Sequence, residues 1–183
     1  MSTKQSPSVR RQFDDILAAD SKETTINRIW AVARIAVGFY FLWAFLDKLL
    51  GLDYATPAEG AWLEGGSPTK GFLENSPAGP FEGFYHSIAG AAWADWLFMI
   101  GLAGIGVALM LGIGMRIAAV SGALMLFLMW TVVLPPVNNP ILDDHLITAL
   151  LLIGLAAAHA GNTWGLGTQW TKTRLVQALP ILR

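Results

Sequence analysis

Residues 96–134 read WLFMIGLAGIGVALMLGIGMRIAAVSGALMLFLMWTVVL, and Arg116 is the single charged residue among them. A helix that crosses the hydrocarbon core of a bilayer needs about 20 predominantly apolar residues. A tight turn at Arg116 divides the stretch into two such helices, 96–113 and 117–134, the second stopped by Pro135-Pro136. Two further apolar runs flank the pair. One, 142–160, is entered through Asp143-Asp144-His145; the other, 29–50, contains Arg34 and ends in Asp47-Lys48. The economical architecture is an all-α membrane protein, a four-transmembrane-helix bundle over residues 29–160 with a long ordered outer loop, 51–95, between helices 1 and 2.

Composition agrees. Hydrophobic residues make up 54% of the 183 and charged residues 14%, against roughly 25% charged in an average soluble domain. The mean hydropathy is +0.50. A soluble globule of this size needs more polar surface. The charges crowd into residues 1–28, a polar, amphipathic tail in which Pro7-Ser8 can open a short helix and Val9, Phe13, Ile16 and Leu17 follow at helical spacing. That segment reads either as a mobile tail or as a helix lying on the membrane or a partner. No cleavable signal peptide is visible, and the run from Ile29 reads as an anchor that stays.

An even number of spans puts both ends on one side. That side holds Lys4, Arg10, Arg11, Lys22, Arg28, Arg116, Lys172, Arg174 and Arg183, whereas outside the spans the other holds only Lys70. The positive-inside rule places both termini in the cytoplasm and the chain, as a multi-pass protein, in the cell membrane. Residues 161–183, with Trp164 and Trp170, read as a cytoplasmic tail along the interface. Rows of small residues four apart (Gly104, Ala108 and Gly112; Ala118 and Gly122; Gly154 and Ala158) suit close helix packing in lipid. The loop 51–95 is rich in glycine, proline and aromatics, which predicts that it folds over the outer end of the bundle with Trp62, Phe72 and Phe81 buried.

Cysteine is absent, which excludes disulfide exchange, thiol nucleophiles, Cys-ligated zinc and ordinary iron–sulfur clusters. No phosphate loop, nucleophile elbow or metalloprotease motif occurs. The basic residues follow membrane topology, so nucleic-acid binding is not supported.

Ala33-Arg34-Ile35-Ala36-Val37-Gly38, followed by Phe41-Leu42-Trp43 and Asp47-Lys48-Leu49, resembles the first span of the DoxX family. Gly66-Ser67-Pro68-Thr69-Lys70-Gly71-Phe72-Leu73 and Gly79-Pro80-Phe81 resemble the outer loop of its DoxX/DoxD-like branch. Residues 101–116 and Trp164-Gly165-Leu166-Gly167 also fit, and the resemblance covers roughly residues 28–175. It implies a four-helix membrane protein related to the membrane subunit of thiosulfate:quinone oxidoreductase, and a place in a redox or stress-response assembly. The polar N-terminal tail lies outside the family pattern.

Ionisable groups at membrane depth are costly and are functional candidates. Lys48 stands 14 residues, four turns, after Arg34 and on nearly the same face, with Gly38, Phe41 and Phe45 between. The pair forms either a polar seam inside the bundle, reaching an anionic ligand or a quinone carbonyl, or two side chains that snorkel to their own interfaces. Arg34, Trp43, Lys48 and His145 are the candidate quinone or anion contacts. Inward placement lets Arg34 find carbonyls, His159 or a ligand, and lets Lys48 meet Asp144 or Asp95. An outer cluster of Lys48, Asp47, Asp95, Asp144 and His145 supplies candidate proton carriers, whereas the plainer account of Asp143 and Asp144 is that they favour a helix N-terminus. His145 and His159 stand about 21 Å apart along one helix, which argues against haem, and no metal site is expected. The two functional readings are a quinone-linked redox subunit and a non-catalytic accessory subunit of a larger membrane complex, the chain meeting lipid and a further subunit or copy of itself.

Overall fold

The computed structural model describes residues 7–182, with side chains from residue 19 onward. Helix α1 runs Pro7–Leu50 without a break, 44 residues and about 66 Å long. After Pro7 it contains no proline and a single glycine, Gly38, so nothing interrupts it before Gly51, which leaves at φ 63°. From Pro7 the polar segment continues without a break into the first apolar run as one helix. The side chains of Val9, Phe13, Ile16 and Leu17 lie outside the described ones. The connection that follows carries two turns of 3-10 helix, Ala58–Gly60 and Trp62–Glu64, and the short helices α2 (Lys70–Asn75) and α3 (Glu82–Ile88).

Helix α4 (Ala92–Leu111) and helix α5 (Met115–Val132) meet in a turn whose glycines, Gly112 and Gly114, both take left-handed backbone. Helix α6 spans Asp144–Ala157, and the chain ends in α7 (Gly167–Trp170) and α8 (Arg174–Ala178). Among the described residues three helices are long and apolar enough to cross a membrane: Ala19–Leu50, Ala92–Leu111 and Met115–Val132. The expected span 142–160 is shorter as a helix. The 14 residues of α6 reach about 21 Å, against a hydrocarbon core of about 30 Å. Its limits are set at both ends: Asp143 accepts from Leu146 N at 3.1 Å as N-cap, and His159 adopts φ 51°, which turns the chain into a 3-10 turn, Ala160–Asn162.

Helices α1, α4, α5 and α6 pack side by side, α1 on α4 and α5 on α4 and α6. Their shared core includes Phe41, Met99, Ile105, Leu126, Leu152 and Leu155. Outside it, large apolar side chains such as Val32, Tyr40, Leu97, Ile100, Val120 and Leu150 stand exposed. A continuous apolar exterior of this kind belongs in lipid.

The small residues act where backbones touch. A Cβ at Gly106 would lie 2.8 Å from Leu42 N, and one at Gly38 would lie 2.9 Å from Met110 N. One at Gly122 would lie 2.6 Å from Leu152 Cδ1. Gly104, expected on a packing row, faces outward and would meet nothing within 4 Å. The true α1–α4 contact uses the residue two places on.

The connection is only partly buried. Leu73 and Tyr85 pack with Val132 in a small second core. Trp62 and Phe72 are half-buried, but Phe81, expected inside, is exposed.

Candidate functional site

Arg34 is wholly buried, at the level of the α4–α5 turn. Its Nε donates to Ala160 O at 3.1 Å. One terminal nitrogen donates to Leu109 O and to Met110 O, the latter at 3.0 Å. The other donates to Trp164 O at 2.9 Å and Thr163 O at 3.4 Å. A guanidinium carries five N–H donors, and five backbone carbonyls take them. Two of these carbonyls belong to the last turn of α4 and three to the segment that leaves α6, which are regions of negative potential. Arg34 thus clamps the end of one helix to the exit of another, with no donor left over for a ligand. The inward orientation and the carbonyl partners agree with expectation; His159 is not among the partners.

The expected cluster around Lys48 is dispersed. Asp47, also buried, accepts from Tyr54 N at 3.2 Å and Ala55 N at 3.1 Å. Asp95, in the first turn of α4, accepts on one oxygen from Thr69 Oγ1 at 2.7 Å, Ser67 Oγ at 2.9 Å and Thr69 N at 3.0 Å. These carboxylates fasten the connection to the ends of α1 and α4. His145 Nδ1 lies 2.6 Å from Asp143 Oδ2 and 3.6 Å from Asp144 Oδ1. That group stands apart at the start of α6, where the N-cap explains it. Lys48 makes no ion pair among the described residues, so neither Asp144 nor Asp95 meets it. Trp43 packs edge-on against Tyr54 at 5.1 Å.

Lys48 instead lines a cavity of about 770 Å³ between α4, α5 and the connection, and among the residues lining it only Lys48 is charged. Its walls are apolar: Leu97 and Gly101 from α4, Leu124 and Leu128 from α5, Phe72 and Tyr85 from the connection. Hydroxyls come from Thr56, Ser67, Thr69, Ser121 and Tyr85. The Tyr85 hydroxyl contacts Thr131 Oγ1 and donates to Leu128 O at 3.3 Å. Arg34, Trp43, Asp47, Asp95, Asp144 and His145 are absent from the lining. Of the candidate contacts, only Lys48 is among the residues that line this cavity. Volume, apolar walls and few polar groups are the properties of small-molecule sites.

Sequence reasoning missed Tyr85 and Ser121. Tyr85 was one aromatic among many in the connection, and Ser121 carries no signal beyond being a hydroxyl in an apolar helix. No family model, curated protein or solved structure matches the chain.

Proposed function

We propose that the chain is a DoxX-like integral membrane subunit of a quinone-linked redox system, and that the quinone head enters the cavity beside Lys48. The observation that carries this reading is the 770 Å³ apolar cavity with one cationic side chain. A quinone head needs a flat apolar slot and a few donors, and its tail needs a path to lipid. A bound quinone accepts two electrons and two protons. The Lys48 ammonium would donate to a carbonyl oxygen and supply positive charge as electron density rises there. The hydroxyls of Ser121 and Tyr85 lie on the same lining, but they donate to Ile117 O and Leu128 O, so the ring would rest on the apolar walls with Lys48 as its donor.

The chain has no redox-active side chain of its own. The donor, thiosulfate or another small reductant, would be handled at the outer face or by a partner subunit. A second reading, a non-catalytic accessory subunit of a respiratory or stress-response complex, is favoured by the way Arg34, Asp47 and Asp95 are all consumed in holding the fold together.

The test is purification of the whole chain from membranes, extraction of its quinone, and quinone reduction with a small donor. We expect Lys48→Met to lower quinone occupancy or turnover by roughly tenfold or more, the worth of a hydrogen bond from a charged donor, with unchanged thermal stability. Wild-type protein that carries no quinone and reduces none sinks the redox reading and leaves the accessory one. Lost stability with no selective loss of turnover would make Lys48 structural.

The same proposal includes four spans, with residues 142–160 crossing as the fourth, both termini cytoplasmic and the chain in the cell membrane. The basic residues Lys22, Arg28, Arg116, Lys172 and Arg174 against Lys70 support it. A reporter fused after Arg183 should be active only in the cytoplasm; activity confined to the outside overturns the topology.

A further inference from the structure

A second cavity, about 350 Å³, lies at the opposite end of the helices from Lys48, and Gly112, Gly114, Arg116, His159, Asn162 and Trp170 are among its lining residues. It sits between the α4–α5 turn, the exit of α6 and α7. Because α4 and α5 are the right length to cross the hydrocarbon, the turn between them falls at the depth of the lipid phosphates. No carboxylate lines this cavity, and none occurs in residues 145–183, which carry Lys172 and Arg174. Among the described residues Arg116 makes one long bond, 3.4 Å to Pro180 O. Among the described residues the side chains of His159 and Asn162 make no hydrogen bond, so one cavity is lined by these two groups and by an Arg116 guanidinium with most of its donors free. Helix α5 starts at this cavity with no side-chain cap on its first N–H groups, which adds positive potential. The shape is enforced by glycines: a Cβ on Gly161 would lie 2.4 Å from Gly112 O. Exposed Leu175, Leu179 and Ile181 follow on the same terminal segment, offering an apolar surface to an acyl chain.

We propose that this cavity binds the phosphate of an anionic phospholipid, with Arg116 as its principal cationic contact and Asn162 and His159 as further donors. The inference does not rest on the quinone reading, since it involves the other end of the bundle and no redox step. A free phosphate ion has the same chemistry, and the experiment separates the two sources.

The whole chain in detergent is titrated with dioleoylphosphatidylglycerol, with dioleoylphosphatidylcholine and with inorganic phosphate, and binding is read by native mass spectrometry and thermal stability. We expect one phosphatidylglycerol retained per chain in preference to phosphatidylcholine. Arg116→Gln should weaken it roughly ten- to hundredfold, as loss of a charged hydrogen bond implies. Arg116→Lys should recover part of that loss, and Arg174→Gln, which removes the same charge outside the cavity, should change it little. Saturation by inorganic phosphate alone, lost in Arg116→Gln, would assign the site to a soluble anion. Equal affinity for the two lipids, or equal loss in Arg116→Gln and Arg174→Gln, overturns the proposal. If Arg116→Gln does not fold, His159→Gly carries the test, because glycine adopts the left-handed backbone at that position and brings no donor: phosphatidylglycerol binding should weaken several-fold, and unchanged binding overturns the proposal.

Discussion

Replacing Arg34 with methionine should destabilise the protein by about 3–5 kcal/mol, the cost of removing one side of a buried charge-assisted network. At about 2–4 °C per kcal/mol for a chain of this size, thermal unfolding in detergent should fall by roughly 6–20 °C. The reason is what stays behind. Leu109 O keeps a bond from Gly112 N at 3.2 Å, but the carbonyls of Met110, Ala160 and Trp164 lose the guanidinium that satisfied them. Arg34→Lys should recover little. An ammonium is a compact point charge with three donors and cannot serve five carbonyls on two segments. If Arg34→Met unfolds at the wild-type temperature, the clamp is not holding the helices, and a ligand role for Arg34 returns to consideration.

The second large effect is expected at Gly106. Leucine there must place its Cβ 2.8 Å from Leu42 N and 3.0 Å from Leu42 Cα. Those are backbone atoms of α1, which cannot swing aside as a side-chain tip can. The helices must separate, and overpacking of this kind costs about 1–3 kcal/mol even where side chains can adjust. Gly104→Leu, two residues away on the same helix, should be close to neutral because its Cβ enters open space. Unfolding curves of the two variants provide the comparison. Equal loss in both would mean that helix propensity or lipid contact governs, not the α1–α4 approach.

The contrast between Gly104 and Gly106 also shows where a sequence stops speaking. Spacing of four identifies rows of small residues, but several rows coexist on one helix and only the neighbour decides which is used. The apolar runs locate the three helices long and apolar enough to cross a membrane because hydropathy over about 20 residues is a summed property. It fails at the ends of α6, where a cap at Asp143 and a left-handed residue at His159 shorten the helix inside a longer apolar run. The inward direction of Arg34 was legible from the cost of charge in lipid. Its partners were not: two lie 75 and 76 residues away at the end of α4, and three lie 126 to 130 residues away in the segment after α6, which has no periodic signature. Asp47 and Asp95 share an end of the bundle with Lys48, which made a proton-carrying cluster plausible from residue type alone. Their actual partners are backbone N–H groups and hydroxyls of the connection, and no motif announces such bonds. The Lys48 cavity is space left between helices and a folded connection, which periodicity does not encode.

The Arg34 clamp has a consequence for biosynthesis. Its first helix leaves the ribosome long before its last partner, Trp164, exists, with 130 residues between them. At about 5–20 residues per second the nascent chain carries an unsatisfied guanidinium for roughly ten seconds. Throughout that interval the insertion machinery or the lipid headgroups must shelter the charge. A chain arrested before residue 160 has only the carbonyls of Leu109 and Met110 to offer Arg34, so the clamp cannot close until the exit of α6 has been made.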